Sequence, residues 1–168
     1  MTTPSDHERF VGLLEEHRGI LYKVAFTYCR RREDRPDLIQ EMTVQLWRSF
    51  DRFDGRAKFS TWMYRIAMNV AISFHRSERR RIRDAVPIDT AGLDLAAADR
   101  VMDEAGEDLR TLLRRMEAWD EMSRALVLLH LEGYRHEEIG QIIGVSTANV
   151  ATRLHRIRER LQRELDRP

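Results

Sequence analysis

From His136 to Gln162 the chain reads HEEIGQIIGVSTANVATRLHRIRERLQ, a pattern that admits a short helix, a glycine turn and a longer basic helix. Ile139, Ile142 and Ile143 supply an apolar stripe. Gly144 suits the left-handed residue needed to leave the first helix, and the Ser146 hydroxyl can cap the next. Val150, Leu154, Ile157 and Leu161 then recur at helical spacing and mark a buried side. The remaining surface of the second helix carries Asn149, Thr152, Arg153, His155, Arg156, Arg158, Arg160 and Arg163, donors and cations suited to base edges and phosphates. Taken alone, a charge-rich helix reads more simply as a solvated surface. With the glycine and the cap in register, the segment reads instead as a helix-turn-helix whose second helix enters a major groove.

A chain of 168 residues can bury one modest core or two small ones. It contains no apolar span long enough for a bilayer, so no membrane insertion is expected. The start MTTPSDHERF lacks both the basic residues and the apolar run of a secretory signal, and a cytoplasmic protein is the expectation. Cys29 stands alone beside the apolar stretch Val24 to Tyr28, which points to buried packing rather than a reactive thiol. The histidines at 7, 17, 75, 130, 136 and 155 show no ligand spacing completed by cysteine or carboxylate, so neither a metal nor another cofactor is expected. No nucleophile and base can be paired from the motifs, and an enzyme is not expected.

The net charge of +1 conceals a sorting of charge along the chain. Arg65 to Arg83 holds Arg65, Arg76, Arg79, Arg80, Arg81 and Arg83 against Glu78 alone, which resembles a phosphate-contacting patch. Asp84 to Leu109 reverses the sign, with only Arg100 opposing its acids. From Arg110 the balance is mixed, then basic again in the last helix.

The expected class is all-α throughout. Phe10, Leu13, Leu14, Ile20, Leu21, Val24, Ala25 and Tyr28 keep a helical stripe through two adjoining segments, with Gly19 a candidate break. A third helix should start near Asp34 to Pro36, where proline is tolerated in the first turn, and run to Phe50. After the turn DRFDGRAKF, a fourth helix is expected from Ser60 as its cap, with Trp62, Arg65, Asn69 and Arg76 along one side and Met63, Ile66, Val70 and Phe74 facing the core. Residues 1–83 thus form one helical domain and 84–108, rich in glycine, acids and small residues, a flexible acidic linker. Leu109, Leu112, Leu113 and Met116 begin a second helical domain, 109–168, closed by the helix-turn-helix.

The stretch DLIQEMTVQLWRSFDRFDGRAKFSTWMYRIAMNVAISFHR, from Asp37 to Arg76, resembles region two of the ECF (extracytoplasmic function) group of bacterial sigma-70 family RNA polymerase sigma factors, and Met122 to Leu161 resembles region four. The two together cover most of the chain, in the family's order. The resemblance implies a dissociable initiation subunit, without a catalytic site, that binds core RNA polymerase and directs it to promoter DNA. It implies that the third helix docks on the polymerase through Asp34, Asp37, Leu38, Gln40, Glu41 and Trp47. It implies that Phe53, Lys58, Phe59, Trp62, Arg65, Asn69 and Arg76 read and melt the minus-ten element, with Asn69 the strongest single candidate. Ser146, Asn149, Thr152, Arg153, His155 and Arg156 would read the minus-thirty-five element, and the linker would follow the polymerase's nucleic-acid channels. An anti-sigma factor is the usual regulatory partner of the group.

Three departures from the family pattern stand out. Ala151 occupies a position that is often basic, Asp34-Arg35-Pro36-Asp37 replaces an acidic quartet, and Trp119-Asp120-Glu121 replaces a leucine-proline-proline start, although Asp120 can still cap the helix that follows. The alternative reading is a stand-alone helix-turn-helix regulator that binds operator duplex DNA without polymerase.

Overall fold

Ser5 opens the first helix with a reciprocal cap. Its hydroxyl accepts from the Glu8 N–H at 3.2 Å, and the Glu8 carboxylate accepts from the Ser5 N–H at 2.7 Å. Those bonds from Ser5 hold the Glu8 carboxyl below its ordinary value. The computed structural model describes residues 5–76, 100, 104 and 106–167, with backbone alone at 75 and 76. Eight α-helices lie among them. They are α1 (Asp6–Glu16), α2 (Arg18–Tyr28), α3 (Arg35–Ser49), α4 (Phe59–Arg76), α5 (Gly106–Met116), α6 (Glu121–Leu131), α7 (His136–Ile143) and α8 (Thr147–Leu165). No strand occurs among the described residues, so the all-α class is observed. None of the helices described is long and apolar enough to cross a membrane.

Two boundaries differ from those expected. The break between α1 and α2 falls at His17, not Gly19. The His17 N–H closes the end of α1 on the Leu13 and Leu14 carbonyls, and its ring Nδ1 bonds the Leu13 carbonyl at 2.9 Å. Helix α4 starts at Phe59, with the Trp62 N–H donating to the Lys58 carbonyl, so Ser60 sits inside the first turn rather than capping it. In α3, Pro36 falls in the first turn, where its missing N–H costs no intrahelical bond.

The chain packs as two units divided between Glu117 and Ala118. In the first, α2, α3 and α4 pack against one another, burying Leu21, Val24, Leu38, Met42, Leu46, Met63 and Ala67, while α1 adds Phe10 and Leu14. The buried hydroxyls of Thr27 and Thr43 donate to the carbonyls of Lys23 and Ile39, one turn back. Cys29 is buried as expected, and burial, with Asp34 nearby, pushes its thiol up to about 11. By packing, α5 stands with this unit, whereas its sequence pattern placed it at the start of the second domain. The linker 84–108, apart from 100, 104 and 106–108, and the arginine cluster 79–83 lie outside the described residues.

In the second unit, α6, α7 and α8 enclose Leu126, Leu129, Ile139, Ile142, Val150 and Leu154. Arg124 is buried here, and its Nε–H donates to the Trp119 carbonyl at 3.1 Å. The Arg160 guanidinium lies 5.3 Å from the Trp119 ring centroid. Asp120 caps α6, accepting from the Ser123 N–H at 2.9 Å and the Ser123 hydroxyl at 2.7 Å. Burial raises the Asp120 carboxyl, but the Ser123 bonds and the Arg153 charge outweigh it and hold it low. A depressed carboxyl contributes stability above its unfolded value and loses it as pH falls through the folded one. Asp120→Ala is therefore expected to cost about 1 kcal/mol at neutral pH. Urea titrations should show that difference shrinking in acid, and a constant difference would refute the cap.

Candidate nucleic-acid interface

Three surfaces carry the residues singled out in the sequence. The first is the outward side of α4. Met63, Tyr64, Ala67, Met68 and Ala71 are buried, and on the opposite side Arg65, Asn69 and Ser73 are exposed, with Trp62 half-buried beside them. Spacings of three and four residues put these on one arc, to which the backbone position of Arg76 also belongs. Ser73 was not anticipated. The expected core stripe needs correcting, because Ile66, Val70 and Phe74 are half-buried and the buried arc runs instead through Tyr64 and Met68. Helix α4 packs on both α2 and α3, so its buried side spans two neighbours, and Ala67 and Ala71 let them approach.

The loop before α4 is held from both ends. Phe53 lies 5.1 Å from Trp62 and 5.4 Å from Phe59 between ring centroids, and Phe59 lies 5.4 Å from Trp62. Phe50 joins the cluster at 6.2 Å from Phe53 and 6.3 Å from Trp62. Phe59 is only 7% exposed, so it anchors the loop and does not offer its ring to DNA. At the tip, the Asp54 carboxylate accepts from the Arg56 N–H at 3.0 Å and faces the Arg56 Nε at 3.2 Å, with Gly55 at φ 76° between them. Lys58 and Arg56 are exposed.

On α3, Asp37 and Gln40 are exposed, and Glu41 and Trp47 are half-buried on the same side, with Val44 among them; Asp34, also half-buried, lies in the turn just before the helix. Burial, and then the neighbouring Asp37, raise the Glu41 carboxyl above its ordinary value. Leu38 is 0% exposed and points into the core, as do Ile39 and Leu46, so it positions the helix rather than meeting a partner. Trp47 packs 5.2 Å from Phe10 and 5.5 Å from His7 between ring centroids, and 6.4 Å from Phe50. Phe50 thus links the ring on α3 to those of the loop and α4. Sequence spacing does not reveal this hub, because its contacts come from α1, α3, α4 and the loop before α4.

The third surface is α8. Gly144 takes the left-handed conformation, φ 77°, and the Ser146 hydroxyl accepts from the Asn149 N–H at 3.1 Å, as expected. Val150, Leu154 and Ile157 are buried; Asn149, Thr152, Arg153, His155 and Arg156 are exposed. Thr152 donates its hydroxyl to the Ala148 carbonyl at 3.0 Å, and His155 Nε2 lies 3.4 Å from a Glu159 carboxylate oxygen. This is a capped, basic helix with an exposed polar side, the residue types that suit base edges and phosphates.

Comparison with known proteins agrees with this layout. Sigma-70 region 2 matches residues 13–81, and Sigma-70, region 4 matches residues 109–161. The chain is 30% identical over 169 residues to the ECF RNA polymerase sigma-E factor of Haemophilus influenzae, covering 95% of this chain and 89% of that protein. It is 28% identical over 169 residues to the ECF RNA polymerase sigma factor SigW of Bacillus subtilis, covering 95% and 90%. Among solved structures, the sigma factor RpoE in complex with the anti-sigma factor NepR from Bartonella quintana has a TM-score of 0.68 at 22% identity, covering 95% of this chain and 99% of that one. CnrH in complex with the cytosolic domain of CnrY has a TM-score of 0.64 at 25% identity, covering 94% and 87%. With both sigma regions matched in order and a relative aligned over nearly its whole length, the chain belongs to the ECF group of the sigma-70 family of RNA polymerase sigma factors.

Proposed function

We propose that this sigma factor docks on core RNA polymerase through α3, opens the minus-ten element with the loop Phe53 to Phe59 and α4, and reads the minus-thirty-five element with α8. The functional domains are 1–83 and 109–168, with 84–108 the acidic connection along the polymerase's nucleic-acid channels. The chain works in the cytoplasm, holds no catalytic centre of its own, and is regulated by an anti-sigma partner.

The observation that carries this reading is the juxtaposition on the first unit. Asn69 and Arg65 stand exposed beside Trp62, whose ring is set by a loop already folded around Phe53 and Phe59. Promoter opening needs a surface that stacks on an unpaired base, bonds its edge and holds the adjacent phosphates. Trp62 and Phe53 supply the stacking, Asn69 the donor and acceptor, and Arg65, Lys58 and Arg76 the charge. A DNA-facing site on this unit separates a sigma factor from an operator-binding regulator, which needs only the helix-turn-helix.

The test is run-off transcription by purified bacterial core polymerase on a randomised promoter library, with and without the chain. Protein-dependent starts sharing two spaced elements are expected. Asn69→Ala should weaken preference at one minus-ten position about tenfold, the worth of a good base contact, with the upstream preference unchanged. Tight binding to isolated duplex with no protein-dependent starts would instead establish the operator-binding regulator.

A further inference from the structure

The arginine closest to the start of α8 is gripped by a neighbour on its own helix. Arg153 and Asn149 are one turn apart and both exposed, and the Arg153 Nε–H donates to Asn149 Oδ1 at 2.6 Å. A lone arginine on a helix surface samples many rotamers. This one is tied at Nε by a short bond, so less freedom is left to lose on binding.

The choice of atom matters. Guanidinium carries five N–H donors in a fixed fork. With Nε engaged by Asn149, the Nη edge keeps the parallel donors that match guanine O6 and N7 in a major groove. We propose that Asn149 is a positioning residue that aims the Nη edge of Arg153 at one guanine of the minus-thirty-five element, making that arginine the specificity-determining contact. The proposal rests on the reading of α8 as the helix that meets the upstream element. It departs from the simpler view that Asn149 contacts a base itself. A bidentate amide contact would favour adenine and would compete with Arg153 for Oδ1.

The experiment uses the full chain with core polymerase on a library randomised in the minus-thirty-five region, comparing wild type with Asn149→Ala, Asn149→Asp, Arg153→Ala and Arg153→Lys. Both side chains are exposed, so folding is preserved and can be checked by thermal melting. Wild type should prefer guanine at one base pair. Arg153→Ala, Arg153→Lys and Asn149→Ala should each reduce that preference about tenfold at this same base pair, with the minus-ten preference unmoved. Asn149→Asp should keep it, because a carboxylate accepts the same Nε–H bond, even though its charge weakens overall affinity. Three outcomes overturn the proposal: no guanine preference in wild type, an effect of Asn149→Ala absent or confined to a different base pair from that of Arg153→Ala, or equal loss in Asn149→Asp and Asn149→Ala. Absence of protein-dependent starts in wild type is a separate result, and it overturns the sigma reading together with this proposal.

Discussion

Replacing Asp37 and Glu41 together by arginine is expected to weaken binding of core polymerase about a hundredfold, because a partner surface complementary to two carboxylates would then meet two charges of the wrong sign, at a cost of several kcal/mol. The two side chains lie one turn apart on the outward side of α3, Asp37 exposed and Glu41 half-buried. Glu41 is held at a cost. Burial and the Asp37 charge raise its carboxyl, so the folded chain disfavours its ionised form. For a carboxyl raised on folding, that destabilisation is present above the folded value and disappears as pH falls through the unfolded one. Glu41→Gln should therefore leave the chain at least as stable at neutral pH while weakening polymerase binding. That opposition separates a docking role from a structural one. Affinity measured by titrating labelled chain with core enzyme, beside thermal melts of the free chain, checks both halves. Unchanged affinity in the double reversal would remove Asp37 and Glu41 from the docking surface.

Substituting Gly140 by alanine is expected to destabilise the second unit by about 3 kcal/mol, near the upper end for overpacking because the atom met is backbone. A Cβ at Gly140 would lie 2.6 Å from the Val145 carbonyl oxygen, with the backbone of Ser146 and Thr147 behind it at 3.6 Å. The turn closes on this residue as well, since the Gly140 carbonyl accepts from the N–H groups of Gly144 at 2.9 Å and Val145 at 3.0 Å. An added methyl must push α8 away from α7 or open the turn, and either change misplaces Asn149 and Arg153. Urea unfolding of the chain and transcription from a promoter with an intact minus-thirty-five element should both report the loss. Gly19→Ala is the control. It lies within α2 with nothing inside 4 Å of the new methyl, and the higher helix propensity of alanine should stabilise it slightly. Equal behaviour of the two substitutions would show that the close approach at Gly140 is not what sets the turn.

Of those two glycines the sequence pattern marks Gly19 as the candidate break and passes over Gly140, whereas close approach makes Gly140 the one that cannot change, and the difference measures what a one-dimensional reading holds. The helix-turn-helix was legible because each of its signals is local. The isoleucine stripe of α7, the left-handed glycine at 144, the Ser146 cap and the apolar side of α8 act over one or two turns and depend on no distant partner. The start of α3, with Pro36 in its first turn, and the Asp120 cap were legible for the same reason. The outward arc of Trp62, Arg65 and Asn69 also followed from period alone, since polar residues at spacings of three and four share a side whatever they pack against.

Tertiary structure decided how far each buried side extends and which aromatic rings meet. Helical periodicity marks an apolar direction, but the width of the buried arc depends on how many neighbours cover it. Covered by both α2 and α3, α4 sinks Tyr64 and Met68 and leaves Ile66, Val70 and Phe74 partly open. Leu38 and Phe59 went inward for the same reason. The cluster centred on Phe50, and the contact of Gly140 with the turn beyond it, depend on close approach between different elements. Secondary structure and the polar side of each helix were settled by interactions within a turn or two, and these the order of residues encodes directly. Burial and close contact come from segments far apart in the chain, so they exist only once the helices have packed.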